Sequence, residues 1–176
     1  MISHILHPHP QIRAVPAPSS PFAALLLLSP ATSFRAIAES FTRNNSIDCI
    51  DKATCEYWNA QLTGGDSPYW TEFENGGFWG EAVRAPPGWW EGVGGLVRRC
   101  LLTAGDREVL LDDILEFGDT LERLPEDWSV QRILGRDEVH DAALMDYILE
   151  KKPRSETTIN SAKWLKEALG IKPKPY

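Results

Sequence analysis

No block of five or more basic residues occurs in this chain of 176 residues, and 25 acidic side chains against 18 Lys and Arg leave a net charge of −7. Phosphate backbones are held by clustered positive charge, so nucleic acid is excluded as the main partner. No apolar run approaches the roughly 20 residues that span a bilayer. The longest, Phe22 to Leu28, follows a segment with one Arg, no Lys and several prolines. That is a poor leader for a secretory signal, so the run is expected to be a buried strand, with no targeting segment. Cysteine is scarce. Cys49, Cys55 and Cys100 are odd in number and unpatterned in spacing, which favours free thiols in a reducing, cytoplasmic setting over a disulfide scaffold. A Cys49–Cys55 pair is the less favoured alternative. A Gly-rich phosphate loop is also missing. His4, His7 and His9 lie in a proline-broken segment without further ligands on a rigid frame, so neither a metal nor a cofactor is expected.

What is present is the composition of a single globular domain: 43% hydrophobic, 24% charged, and unusually rich in tryptophan, with seven. Residues 1–21 read as a helix tail broken by proline and followed by a Pro/Ser-rich connector. Such a start hints at truncation. Residues 22–95 combine one strand with a helical and aromatic-rich region. Phe22 to Leu28, bounded by Pro21 and Pro30 and lacking polar alternation, suits a parallel strand covered on both faces. Residues 44–50 are loop, and Asp51 caps a helix to about Leu62 that Gly64-Gly65 would stop. The stretch 66–95 is irregular and carries Tyr69, Trp70, Phe73, Phe78, Trp79, Trp89 and Trp90.

Residues 96–170 are the more regular part. A second strand is expected over 97–103. From Val109 to Leu124 an apolar stripe of Leu110, Ile114, Phe117, Leu121 and Leu124 marks a helix, with Asp112, Asp113, Glu116, Asp119 and Glu122 mostly off it. Val130 to Leu134 is a third strand. A last helix follows Pro153, from about Thr157 to Leu169, ended by Gly170, Pro173 and Pro175. Strands separated by helices imply a three-stranded parallel α/β sheet. If the first strand lacks a neighbour, its apolar edge invites self-association and marginal stability.

Two polar turns stand out. Asp106-Arg107-Glu108 follows the second strand and Glu138-Val139-His140-Asp141 follows the third. An acid and then a histidine, each just past a buried strand, is the closing half of a Ser–acid–His hydrolase triad. The opening half, a Gly-x-Ser-x-Gly elbow, is not found: Ser19, Ser20, Ser29 and Ser33 all lack flanking glycines.

Several landmarks occur in a telling order. They are Pro16-Ala17-Pro18 before Leu25-Leu26-Leu27-Leu28-Ser29-Pro30, the polar loop from Ser40 to Asp48, and Glu56-Tyr57-Trp58 through Gly64. Trp89-Trp90-Glu91-Gly92-Val93, the acid turn from Gly105 to Asp113, Val139-His140-Asp141 and Trp164 then follow. This series resembles the C-terminal half of the α/β-hydrolase fold-3 family, which includes hormone-sensitive-lipase-like esterases, arylacetamide deacetylases and fungal steryl-acetyl-hydrolase-like proteins. The resemblance implies a partial α/β-hydrolase fold without its N-terminal strands, oxyanion His-Gly-Gly motif and nucleophile elbow. It further implies hydrolysis of hydrophobic acyl or acetyl esters, with His140 as general base and Glu108 as the acid that orients it. Asp106, two residues nearer the strand end, is the competing acid. Asp112 reads as solvated or as support for the turn.

Each residue also has a plainer reading. His140 alone is a surface-loop histidine, and Glu108 alone is a glutamate at a helix start. The aromatic cluster at 69–90 either lines an acyl or sterol pocket or packs a core, with packing favoured residue by residue. Cys100, mid-strand, is a poor nucleophile. Asn44-Asn45-Ser46 matches the glycosylation pattern but means little without a secretory signal. The chain therefore reads as the acid- and histidine-bearing portion of an ester hydrolase, inactive alone without its serine. The alternative is a non-catalytic remnant that binds or self-associates.

Overall fold

The computed structural model describes residues 2–10, 12–63, 76–125 and 127–171. The Gly64-Gly65 helix stop, Tyr69, Trp70, Phe73, Pro173 and Pro175 lie outside the described residues. In chain order the elements are α1 (Ile2–Leu6), β1 (Leu25–Leu28), α2 (Ser40–Arg43), α3 (Lys52–Thr63), α4 (Val93–Leu96), β2 (Arg99–Gly105), α5 (Leu111–Glu122), β3 (Ser129–Gly135), α6 (Ala142–Ile148) and α7 (Glu156–Ala168). The strands form one parallel sheet in the order β1-β2-β3. Leu25 to Leu28 pair with Cys100 to Thr103, and Arg99 to Gly105 pair with Ser129 to Gly135.

The sheet is covered on both faces, and the period-two rule sorts its side chains. Cys100 and Leu102 meet α5. That helix buries the stripe expected of it: Leu110, Ile114, Phe117, Leu121 and Leu124 are all inside. It approaches the sheet closely at Gly118, where a Cβ would come within 2.8 Å of Leu102. The opposite face carries α7, whose Thr158, Ser161 and Leu165 share a cavity with Leu26 and Leu28 of β1. β2, central and covered on both sides, is buried from Cys100 to Gly105.

Some expectations shift. The second strand begins at Arg99 because Val97 closes α4 and makes an isolated bridge to Phe22. The stripe helix begins at Leu111, since residues 106–110 form a tight turn. β1 is only partly buried, and Leu28 is 36% exposed. An edge strand with one neighbour cannot be sealed as a central one is. Asp113 does not lie off the helix's buried side: it is 3% exposed. Helix α6, which follows the histidine turn, carries too little periodicity to have been marked. Asp51 does cap α3, its side chain accepting from Thr54 N at 2.7 Å.

Candidate active site

The acid and histidine turns sit side by side because β2 and β3 end in register, Gly105 against Gly135. Backbone bonds then weld the turns together. Asp106 N donates to Gly135 O at 2.9 Å, and Arg107 N donates to Glu138 O at 2.9 Å. Gly105 makes this approach possible, because a Cβ there would lie 2.2 Å from Glu138 O.

Glu108 is fully buried at the start of the turn into α5. Its Oε2 lies 3.3 Å from His140 Nδ1. Its Oε1 accepts from Ser29 Oγ at 2.6 Å and from the Gly105 amide. A buried carboxylate is tolerated when its lone pairs are filled, and here three donors converge on it. Asp106, the competing acid, instead faces Arg107 at 3.7 Å. The structure therefore brings Glu108, and not Asp106, to His140.

His140 is largely enclosed, with its side chain 18% exposed. Burial works against the imidazolium, but Glu108, by hydrogen bond and by charge, with Asp141 and Asp48 behind it, outweighs burial. The imidazole is held above its ordinary value. Glu108 thus occupies the Nδ1 side of the ring. Nε2 lies 3.6 Å from Asp141 Oδ2.

Four supporting residues were named in the sequence or lay within its polar-loop landmark but were given no role at the site. Ser29, at the end of β1 with a φ of 39°, donates to Glu108 and accepts from Asp141 N at 3.2 Å. Asn44 is buried and donates to Glu108 O at 2.7 Å, so the side chain within the glycosylation pattern is committed to the interior. Ser40 donates to Val109 O at 2.7 Å. Asp48 accepts from Val109 N and His140 N. The signal was a run of small polar residues between two apolar elements, a pattern common in ordinary loops. Asp112 does support this region: it pairs with Arg43 at 2.6 Å and accepts from Ser40 N at 2.8 Å.

Of the other candidates, Cys49 touches the histidine turn, its Sγ donating to His140 O at 3.4 Å. Cys49, Cys55 and Cys100 are free thiols. Burial pushes Cys100 up to about 12, and burial together with Asp48 pushes Cys49 up to about 11, so neither is an activated nucleophile. Phe78, Trp79 and Trp89 pack edge to face, and His7 stacks on Trp89, its Nε2 2.6 Å from the Trp89 carbonyl. Among the described residues, no three His, Cys, Asp or Glu gather to hold a metal. No helix among them is long and apolar enough to cross a membrane.

No protein-family profile and no curated protein sequence matches the chain. Solved structures do. A crystal structure of the esterase rPPE mutant W187H superposes with a TM-score of 0.63 at 18% identity, covering 80% of this chain and 40% of that one. An esterase from the bacterial hormone-sensitive lipase family gives 0.62 at 23% identity, covering 84% and 44%. Carboxyl esterase 2 from the mycorrhizal fungus Tuber melanosporum gives 0.61 at 19% identity, covering 85% and 46%. The chain thus spans less than half the length of the esterases it resembles. Three parallel strands flanked by helices, matched to part of each of these enzymes, make this a partial α/β-hydrolase fold.

Proposed function

We propose that the chain supplies the acid and the general base of a Ser–acid–His carboxylic-ester hydrolase, Glu108 and His140, acting with a serine from polypeptide outside these 176 residues. The observation that carries this reading is the contact of Glu108 Oε2 with His140 Nδ1 at 3.3 Å, made at the ends of adjacent parallel strands. Apo pairs are often somewhat longer than the working hydrogen bond. In the reaction, His140 Nε2 removes the serine proton as Oγ attacks the ester carbonyl. It then returns that proton to the departing alkoxide, leaving an acyl-serine. Water repeats the sequence and releases the acid. Glu108 fixes the imidazole tautomer and stabilises the imidazolium. The substrates are hydrophobic acyl or acetyl esters.

The test is hydrolysis of p-nitrophenyl acetate by the purified chain, alone and joined to the nucleophile-bearing half of an α/β-hydrolase esterase. The chain alone shows no serine-dependent turnover. The joined protein turns over, and His140→Ala costs it on the order of 10⁴-fold. A folded, active joined protein indifferent to His140→Ala overturns the proposal.

One contact favours a second reading. Asp141 Oδ2 stands 3.6 Å from Nε2, at the nitrogen a nucleophile would need. In that reading the fold is a non-catalytic module that associates through β1. Concentration-dependent mass by light scattering supports it, and a strictly monomeric chain sinks it.

A further inference from the structure

The acid and histidine turns are joined by more than the strands that precede them. Asp48 lies in the loop between α2 and α3, and its carboxylate collects three backbone amides from three separate segments. Oδ2 accepts from Val109 N at 2.7 Å, the residue directly after Glu108. Oδ1 accepts from His140 N at 2.8 Å and from its neighbour Cys49 N at 2.7 Å. One oxygen thus holds the residue after the acid, and the other holds the histidine itself. The loop that presents Asp48 is anchored in turn: Asp48 N donates to Asn44 O at 3.1 Å, while Asn44 Nδ2 donates to Glu108 O at 2.7 Å. A carboxylate with two acceptor oxygens suits this task. An amide of the same shape has one acceptor and would turn donor hydrogens toward one of the amides.

We propose that Asp48 is a positioning residue that clamps the acid turn to the histidine turn and thereby sets the Glu108–His140 contact. The proposal deepens the reading of that pair as acid and base. Its readout is the titration of the imidazole, so it stands or falls without any ester being turned over. Asp48 acts through the pair and touches no reacting atom.

Asp48 also bears on His140 as a charge, alongside Glu108 and Asp141. The experiment must therefore separate place from charge. His140 is titrated by NMR in the full chain and in Asp48→Glu, which keeps the charge and moves the carboxylate by one methylene. The clamp predicts a downward move of the His140 midpoint toward its ordinary value. An unchanged midpoint in folded Asp48→Glu overturns the clamp and leaves a purely electrostatic role. Asp48→Asn is then made with and without Glu108→Gln. Acting through the contact, Asp48→Asn shifts the midpoint less once Glu108 is neutral; equal shifts in both backgrounds overturn the proposal. A third measurement needs no variant. In the unmodified chain the amide proton shifts of Cys49, Val109 and His140 must move together in one acid titration, and independent movement overturns the shared carboxylate.

Discussion

The end of the sheet that holds Glu108 and His140 differs from the flank along β1 in how its polar groups are served. At the first, the buried Glu108 has donors from Ser29 and Gly105 and the ring of His140, while Asp48 and Asn44 fill neighbouring backbone groups. At the second, a cavity of about 280 Å³ opens among Leu25, Leu27, Trp90, Phe117 and Leu121. Ser3 Oγ, Thr32 Oγ1 and Trp90 Nε1, on residues lining it, are buried with no hydrogen-bond partner among the described residues. The other face of β1 borders a cavity of about 230 Å³ edged by Leu144, Tyr147 and Leu165. Buried polar groups are normally satisfied. Those of Glu108 are, whereas the β1 flank leaves several unpartnered among the described residues. In the acid turn, Asp106 Oδ1 also has no hydrogen-bond partner among them. The Glu108–His140 contact is thus held by groups from several segments of the fold, while the β1 flank borders two largely apolar cavities.

Four substitutions test this contrast. The largest effect is expected from Leu102→Ala, in the central strand and 1% exposed. It should cost about 3 kcal/mol of stability, read by denaturant melts, because α5 and the sheet cannot collapse onto the vacancy. A loss under 1 kcal/mol would show that the centre is as loosely packed as the flank.

Next comes Asp113, the counterexample to Glu108. It is buried, and its Oδ2 has no partner among the described residues. Burial, opposed by Arg84 and reinforced by Glu116, Glu81 and Asp112, raises its pKa from 3.8 to about 6. The folded state then holds this proton more tightly than the unfolded one. Stability falls as pH rises from about 4 to about 6, and the penalty persists above that. Asp113→Asn should raise stability near neutral pH by about 2 kcal/mol and flatten that acid limb. Equal melting temperatures for both proteins at pH 7.5 would refute this.

A smaller, oppositely motivated effect is expected at His140. Its folded pKa lies above the unfolded one, so it contributes stability that is fully present below its ordinary value near 6.5 and lost as pH rises through the raised value. Glu108→Gln should weaken this basic-side loss in melts from pH 6 to 9. A loss of the same size in the variant would detach the histidine from its acid.

The smallest change in stability belongs to Leu28→Lys on the β1 edge, within about 0.5 kcal/mol of the parent. Edge lysines oppose strand pairing, so its readout is mass by light scattering, with less association than the parent. Equal mass for the two proteins would count against self-association through β1.

The strongly periodic parts were legible in the amino-acid sequence. The apolar stripe from Leu110 to Leu124 placed α5, the buried run placed β2, and two polar turns after two strands marked an acid turn and a histidine turn, with the preference for Glu108 over Asp106 resting on the family resemblance. These features are local, written in the period of the helix and in the ends of strands. The count of expected strands likewise pointed to a small, three-stranded parallel sheet. The choice between Glu108 and Asp106 was settled in three dimensions, because it depends on which carboxyl the register of Gly105 and Gly135 turns toward the ring. Only the fold brought Ser29, Asn44 and Asp48 to the pair, across 79, 64 and 92 residues of chain in their contacts with Glu108 and His140. Such contacts leave no periodic trace, since each rests on one short polar side chain in a loop that only parallel strand pairing carries to the acid turn.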